Sequence, residues 1–170
     1  MSTPALILDS TINFLKGHAP FSRMAAPDLQ FLAERVKLAY FPVGSTIVDP
    51  TAGMARHLHI IQRGHVRNLN PAAPGDDLIL AAGECFPVGA LSAGSLGTRR
   101  FEATEDVFCF QLAKADFDEL RQRSAPFAEF CTQALASIVQ QSLGQLRQHF
   151  SQRAAEQQRS EEHTSELQSH

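Results

Sequence analysis

Residues 58–66 read Leu-His-Ile-Ile-Gln-Arg-Gly-His-Val, and residues 83–91 read Gly-Glu-Cys-Phe-Pro-Val-Gly-Ala-Leu. In the first stretch, a run of strand-forming residues ends at Gly64, and a glycine at this place allows the tight turn that joins two antiparallel strands. The second stretch follows a loop rich in proline and glycine. Short strands that are interrupted every few residues by glycine or proline indicate a β sandwich, roll or barrel.

Helices are predicted on both sides of this strand-rich region. Residues 26–28, Ala-Pro-Asp, are typical of a helix start because proline is tolerated in the first turn and an acid favours the positive end of the helix dipole. From Lys37 the spacing of apolar residues changes from a helical to a strand period. The longest helix begins at Pro126, and its apolar positions continue to Phe150. The sequence therefore predicts a mainly β domain of the double-stranded β-helix or jelly-roll type, with flanking helices and a long C-terminal helix.

The predicted boundaries divide the chain as follows. An N-terminal helix (1–13) precedes the β-roll with its flanking helices (14–125), and the long helix (126–150) follows as a dimer or coupling helix. Residues 151–158 are predicted to be a linker. Residues 159–170, RSEEHTSELQSH, resemble a sequencing adapter translated in frame, so we exclude them from the fold and expect the natural protein to continue after residue 158.

The composition limits the classes of function. A net charge of −3 gives no electrostatic reason to expect nucleic-acid binding. Three cysteines without CxxC spacing fit a reducing cytoplasm, and the absence of a long apolar run predicts a cytoplasmic protein outside the membrane. Cys85 and Cys109 are predicted to be small core residues. We predict no catalytic residues because no nucleophile lies beside a base in the sequence.

Two histidines are the only candidates for a metal site. His57 and His59 lie two residues apart on a predicted strand and would face the same way. The further carboxylate and histidine that such a site needs are missing at the required places. We therefore predict no metal site and interpret both residues as partly exposed strand histidines.

Over about residues 14–150, the order of these elements resembles the cyclic nucleotide-binding domain family. The resemblance is carried by residues 40–47 and 58–66, which are similar to the family's first strands, and by residues 103–117, which are similar to its last strand and following helix. Gly83-Glu84-Cys85-Phe86 resembles the opening of the family's phosphate-binding cassette. The resemblance implies a cyclic nucleotide-binding-type β-roll and a regulatory role in place of an enzymatic one.

The family's cassette binds its ligand through three kinds of group. Backbone N–H groups and a buried arginine hold the phosphate, and a glutamate accepts a hydrogen bond from the ribose hydroxyl. Here Val88 stands at the glutamate position and cannot accept a hydrogen bond, and Pro87 removes a backbone donor. The resemblance therefore implies a degenerate cassette, whose candidate ligand-binding residues are Gly83, Glu84, Phe86, Pro87, Val88, Gly89, Ala90, Leu91 and Arg99. No cofactor is certain, and the candidate ligands are a nucleotide or another small anion.

Two alignments are possible for the position of the family's phosphate-binding arginine. Counting backward from Ala103 puts Gly97 there, whereas counting forward from Leu91 puts Thr98 there. Neither residue carries a charge.

Arg99 is the nearby cation that is expected to point inward, because it shares strand parity with Phe101. An inward guanidinium is costly unless an anion accompanies it. Arg99 therefore either binds a ligand anion from a shifted register or pairs with an acid such as Glu84 or Glu102.

Residues 85–91 and 105–110 resemble a narrower subgroup of predicted bacterial signal-transduction proteins. There, paired CBS domains and a nucleotidyltransferase-like domain follow the roll. This resemblance implies a regulatory or sensor module whose partners are downstream domains of the same polypeptide, together with a homodimer through residues 126–150. Two alternatives stay open: a working cAMP- or cGMP-binding domain, and the sensor domain of a truncated catabolite-activator-type transcription regulator.

Overall fold

The computed structural model describes residues 4–168, so the first three residues of the predicted N-terminal helix and the last two of the predicted tail lie outside the described part. The chain divides into two compact units, Met1–Leu135 and Ala136–His170. The helices are α1 (Ala5–Lys16), α2 (Ala26–Arg35), α3 (Val88–Ala93), α4 (Lys114–Arg123) and α5 (Ala125–Gln168), with short 3-10 turns at Phe21–Arg23 and Pro50–Ala52. The strands are β1 (Lys37–Phe41), β2 (Thr46–Val48), β3 (His57–Arg63), β4 (Val66–Leu69), β5 (Leu78–Leu80), β6 (Cys85–Phe86), β7 (Arg100–Ala103) and β8 (Val107–Ala113).

The strands form two four-stranded sheets in which every pairing is antiparallel. One sheet has the order β1-β8-β3-β6, and the other has the order β2-β7-β4-β5. A core of buried residues from both sheets lies between them and consists of Ile61, Val66, Phe86, Phe101, Ala103, Val107 and Cys109. This arrangement is the predicted jelly-roll-type β-roll.

The opposite face of the first sheet packs against the helices. Because side chains alternate along a strand, Leu58 and Ile60 of β3 point away from the roll interior that Ile61 enters. They join a second buried core with Leu15 of α1, Leu32 of α2 and residues of α3, α4 and α5. The cassette helix and the flanking helices therefore share one apolar core.

The α2 helix begins and ends as its sequence predicts. Pro27 lies in the first turn, and Leu29, Leu32 and Ala33 are buried. In α1, Leu6 is 85% exposed, whereas Thr11 and Leu15 are buried.

The α5 helix extends further than the sequence predicts. It continues through 151–158, the predicted linker, and into residues 159–168. Residues after Gly144 include many strong helix formers and neither glycine nor proline, so that the backbone has no signal to stop. The helix boundary predicted at residue 150 is therefore wrong, while the origin of residues 159–170 stays a prediction.

Candidate functional site

The cassette begins at a buried glycine that contacts the N-terminal helical segment. Gly83 has a φ of +90°, a backbone conformation that favours glycine, and the ring of His18 occupies the space where a Cβ would stand. The Gly83 N–H donates to the carbonyl of Ile61 at 2.7 Å. Glu84 is used locally, because its carboxylate accepts a hydrogen bond from the N–H of Ala81 at 2.6 Å.

Phe86 places an aromatic ring inside the roll. Its ring stacks on His59 with centroids 5.0 Å apart and an interplanar angle of 9°, and on Phe101 at 4.7 Å and 17°. Phe86 is 1% exposed. The roll interior beside the cassette is therefore lined by a three-ring stack.

The α3 helix directs its largest side chains towards the helical core. Val88 and Leu91 are 7% and 1% exposed and belong to the core that the sheet shares with the helices. Pro87 and Gly89 are also buried, and Ala90 is half-buried. A carboxylate at position 88 would enter apolar surroundings, where a charge without a partner is costly.

Gly97 lies directly against the cassette helix. A Cβ at Gly97 would be 3.5 Å from the Cβ of Ala90, an ordinary van der Waals contact. Thr98, the other aligned position, is exposed. The position that contacts α3 therefore carries no side chain in this protein.

Arg99 stabilises a loop. Its Nε donates to Oδ1 of Asn68 at 2.6 Å, and its Nη2 donates to the carbonyl of Asp76 at 3.0 Å. Its Nη1 lies 3.8 Å from Oδ2 of Asp76. Arg99 therefore pairs with an acid as expected, but the acid is Asp76 and not Glu84 or Glu102. The reason is that β4 lies beside β7 and brings the β4–β5 loop to the guanidinium.

Glu102 has its own cation. Its carboxylate lies 3.9 Å from the half-buried Arg100.

The expectation of partly exposed histidines holds for His57 and is wrong for His59. His57 is exposed, whereas His59 is 5% exposed. Nε2 of His59 lies 3.2 Å from Nε2 of Gln111, while within residues 4–168 its Nδ1 has no hydrogen-bond partner. Burial, with a smaller contribution from the nearby His57, lowers the pKa of His59 to about 4. The ring is therefore neutral at physiological pH.

Cys109 and Cys131 are buried, and Cys85 is half-buried. All three are free, and burial raises the pKa of Cys109 to about 12 and raises the pKa of Cys85 further. Their thiolate fraction is therefore very small. Among residues 4–168, no group of three or more His, Cys, Asp or Glu is arranged to hold a metal ion.

Two cations near the cassette were missed by the sequence reasoning. Lys114 and Arg121 of α4 donate to the backbone carbonyls of Leu91 and Ser92 at 3.2 and 3.1 Å. The sequence carries no signal for this contact, because it depends on how α4 packs beside α3. An open depression of about 580 Å³ was missed as well, and it is lined by Arg63, Gly64, Glu105, Asp106 and Phe108.

The two-sheet roll, the short helix after β6 and the flanking helices together define the fold of cyclic nucleotide-binding regulatory domains. Cyclic AMP-bound PfPKA-R has a similar structure, with a TM-score of 0.60, 14% identity, and coverage of 71% of this chain and 43% of that one. The regulatory domain of Toxoplasma gondii PKA with cAMP is also similar, with a TM-score of 0.69, 17% identity, and coverage of 78% and 51%. The chain thus spans about half the length of the solved structures that it matches.

Sequence comparison adds no closer relative. No family model matches the chain, and no curated protein matches it. Among the helices of residues 4–168, none is both long enough and apolar enough to cross a membrane.

Proposed function

We propose that this chain is a regulatory module that has kept the cyclic nucleotide-binding roll but lost the two side chains that grip a cyclic nucleotide. The observation that carries the proposal is the pair Val88 and Gly97. Val88 is 7% exposed within an apolar core, at the position of the sugar-binding glutamate. Gly97, one of the two aligned positions of the phosphate-binding arginine, contacts the cassette helix without a side chain.

The missing contacts have a large expected effect on affinity. Hydrogen bonds to charged groups contribute roughly 1.5–3 kcal/mol each, so that losing both weakens binding by about 10²- to 10⁴-fold. Arg99 does not replace them, because its donors already serve Asn68 and Asp76. Glu84 does not replace them either, since its carboxylate binds the backbone of Ala81.

The proposed role is to bias domains that follow in the same cytoplasmic polypeptide, of the CBS and nucleotidyltransferase-like kinds. The module itself has no catalytic residue in this proposal. A physical route is present, since α4 contacts the cassette and is separated from α5 by Ser124 alone. Self-association through residues 126–150 is the second proposed partnership.

The competing function is binding of cAMP, which the two similar solved structures described above contain. Isothermal titration calorimetry with cAMP and with cGMP separates the two functions. We expect no binding by the unaltered chain up to about 1 mM nucleotide, because the lost contacts account for several kcal/mol. A dissociation constant below about 10 µM, on the same scale, would overturn the proposal.

A pair of matched variants tests the reason for the loss. Gly97→Arg places a guanidinium beside α3, and we expect it to give measurable nucleotide binding. Thr98→Arg adds the same charge at an exposed neighbour and is expected to leave binding absent. Equal gains in both variants would show that net charge, and not the place of the arginine, controls binding.

A further inference from the structure

A row of three side chains lies uncovered at one end of the first sheet. Tyr40 of β1, Phe108 of β8 and Arg63 of β3 are cross-strand partners, and directly opposite residues of antiparallel strands lie on the same face of a sheet. The rings of Tyr40 and Phe108 have centroids 5.1 Å apart. Two residues along β8, Phe110 is buried in the core that the sheet shares with the helices. Tyr40 and Arg63 are exposed and Phe108 is half-buried, so the helices leave this aromatic–cation row (Tyr40, Phe108 and Arg63) open.

The row borders the open depression of about 580 Å³, which is also lined by the acids Glu105 and Asp106. Oε1 of Glu105 lies 2.6 Å from Nδ1 of His65. Oδ1 of Asp106 accepts hydrogen bonds from the hydroxyl of Tyr40 at 2.9 Å and from the N–H of Val43 at 3.2 Å. Both acids of the depression are therefore engaged by neighbours of their own.

Arg63 is the charged residue of this depression whose guanidinium is not engaged. Within residues 4–168 it forms no ion pair, although it stands beside two acids. A guanidinium has five N–H donors and can bind a carboxylate through two of them at once. The two acidic neighbours repel a polyanion such as a nucleic acid, so the anion that fits here is a single carboxylate.

The dimensions of the row favour an extended peptide as the occupant. A small ligand needs a concave pocket that covers most of its surface, whereas this depression is open. Neighbouring strands are about 4.8 Å apart, so the row spans about 10 Å, which is the length of roughly three extended residues. The exposed apolar residues Leu38 and Val43 continue the surface beyond Tyr40. A peptide that crosses this end of the sheet can therefore cover the two rings and reach Arg63.

We propose that the aromatic–cation row is a docking surface for an extended acidic segment of a partner protein. In this segment a large apolar residue covers the rings of Tyr40 and Phe108, and a carboxylate two or three residues away binds the guanidinium of Arg63. Burying the exposed aromatic surface supplies affinity, and the charge-assisted pair supplies specificity. The docking surface lies outside the cassette, so it does not depend on whether the roll binds a nucleotide.

Selection from a random peptide library tests the docking surface. Peptides of about eight residues, which are long enough to span the row, are displayed on phage and selected on the unaltered chain. The enriched peptides are then synthesised with a fluorescent label, and their binding is measured by fluorescence anisotropy. We expect the enriched sequences to share a large apolar residue and an Asp or Glu two or three positions apart. Failure to enrich such a pattern would overturn the proposal.

Two matched variants locate the binding on the row. Arg63→Gln removes the charge from the depression, and we expect the enriched peptides to bind it on the order of tenfold more weakly. Arg67→Gln removes a charge from another exposed strand arginine, on β4 of the other sheet, and is expected to leave binding unchanged. Arg63→Lys keeps a cation and is expected to retain part of the affinity. Unchanged binding by Arg63→Gln, or an equal loss in both glutamine variants, would overturn the assignment of the surface.

Discussion

His59 places an ionisable ring inside an aromatic stack. Its imidazole lies parallel to Phe86 and meets the edge of Phe41 at 5.8 Å. A neutral ring packs well here, whereas an imidazolium would lose its hydration without gaining an acidic partner among the contacts of the described residues. The same burial that stabilises the stack at neutral pH therefore makes it sensitive to acid.

We predict that His59 makes the roll less stable as pH falls. The folded-state pKa is about 4, below the unfolded value of about 6.5. The unfolded state therefore binds the extra proton first, and stability is lost as pH falls from about 6.5 towards about 4. Between about pH 7.5 and 5.5 the His59 contribution to the free energy of unfolding falls by about 1 kcal/mol.

Urea unfolding at the two pH values checks this prediction. His59→Phe keeps an aromatic ring without a titrating group, so its free energy of unfolding is expected to depend less on pH by the same amount. His57→Gln removes only the smaller contribution of the exposed neighbour and is expected to keep most of the dependence. A His59→Phe profile identical to that of the unaltered chain would contradict the assignment.

At this scale, the sequence predicts the direction of a side chain better than its partner. Strand parity correctly predicts that Phe101 and Ala103 point inward, since they are 5% and 3% exposed. The same reasoning missed the burial of His59 and the partner of Arg99. Alternation fixes which face of a strand a residue lies on, but burial and pairing depend on which other strand or loop covers that face.

At the scale of elements, the β3–β4 turn packs against the β7–β8 turn. Gly64 has a φ of +99°, and a Cβ there would stand 2.5 Å from the carbonyl oxygen of Asp106 and 3.1 Å from Cα of Val107. Because both neighbours are backbone atoms, they cannot move aside without shifting β8. Gly64 therefore allows the tight β3–β4 turn and also allows this turn to lie close to the β7–β8 turn.

Gly64→Ala is predicted to destabilise the roll far more than Gly75→Ala. Gly75 has a similar φ of +104° but no atom within 4 Å of its Cβ position, so the two variants share backbone strain and differ in the clash. We expect a loss of about 1 kcal/mol for Gly75→Ala and about 3 kcal/mol for Gly64→Ala in urea unfolding. Equal losses would mean that the turns separate freely.

Element boundaries were predicted well where the sequence contains a stop signal. Proline and glycine mark the α2 start and the β3–β4 turn, and the structure confirms both. After Gly144 the sequence has no such signal, and the predicted end of α5 at residue 150 was wrong. The end at residue 150 was predicted only because the apolar periodicity stops there, and this change does not itself terminate a helix. The helix propensity of residues 151–168 therefore determines where α5 ends.

At the scale of the whole molecule, the roll with flanking helices was predicted from the order of elements, whereas the strand order β1-β8-β3-β6 was not available from local patterns. It depends on pairings between distant residues, such as Leu58 with Leu112. The resemblance to a family implied the type of roll, and no strand order was predicted from it. The contacts of Lys114 and Arg121 with the cassette were not available from local patterns either, because they join segments that are distant in the sequence.

The exposed apolar stripe of α5 leads to a prediction about assembly. Val139, Leu143, Leu146 and Phe150 are 50–60% exposed, and their spacing of four, three and four residues matches alternating core positions of a coiled coil. Such a stripe is best buried against an identical stripe, so we predict a homodimer. In sedimentation equilibrium we expect Leu143→Glu to give monomers, because it places like charges in the seam, while Gln145→Glu, outside the stripe, keeps the dimer. A monomeric unaltered chain at about 100 µM, a concentration that detects even weak association, would contradict the prediction.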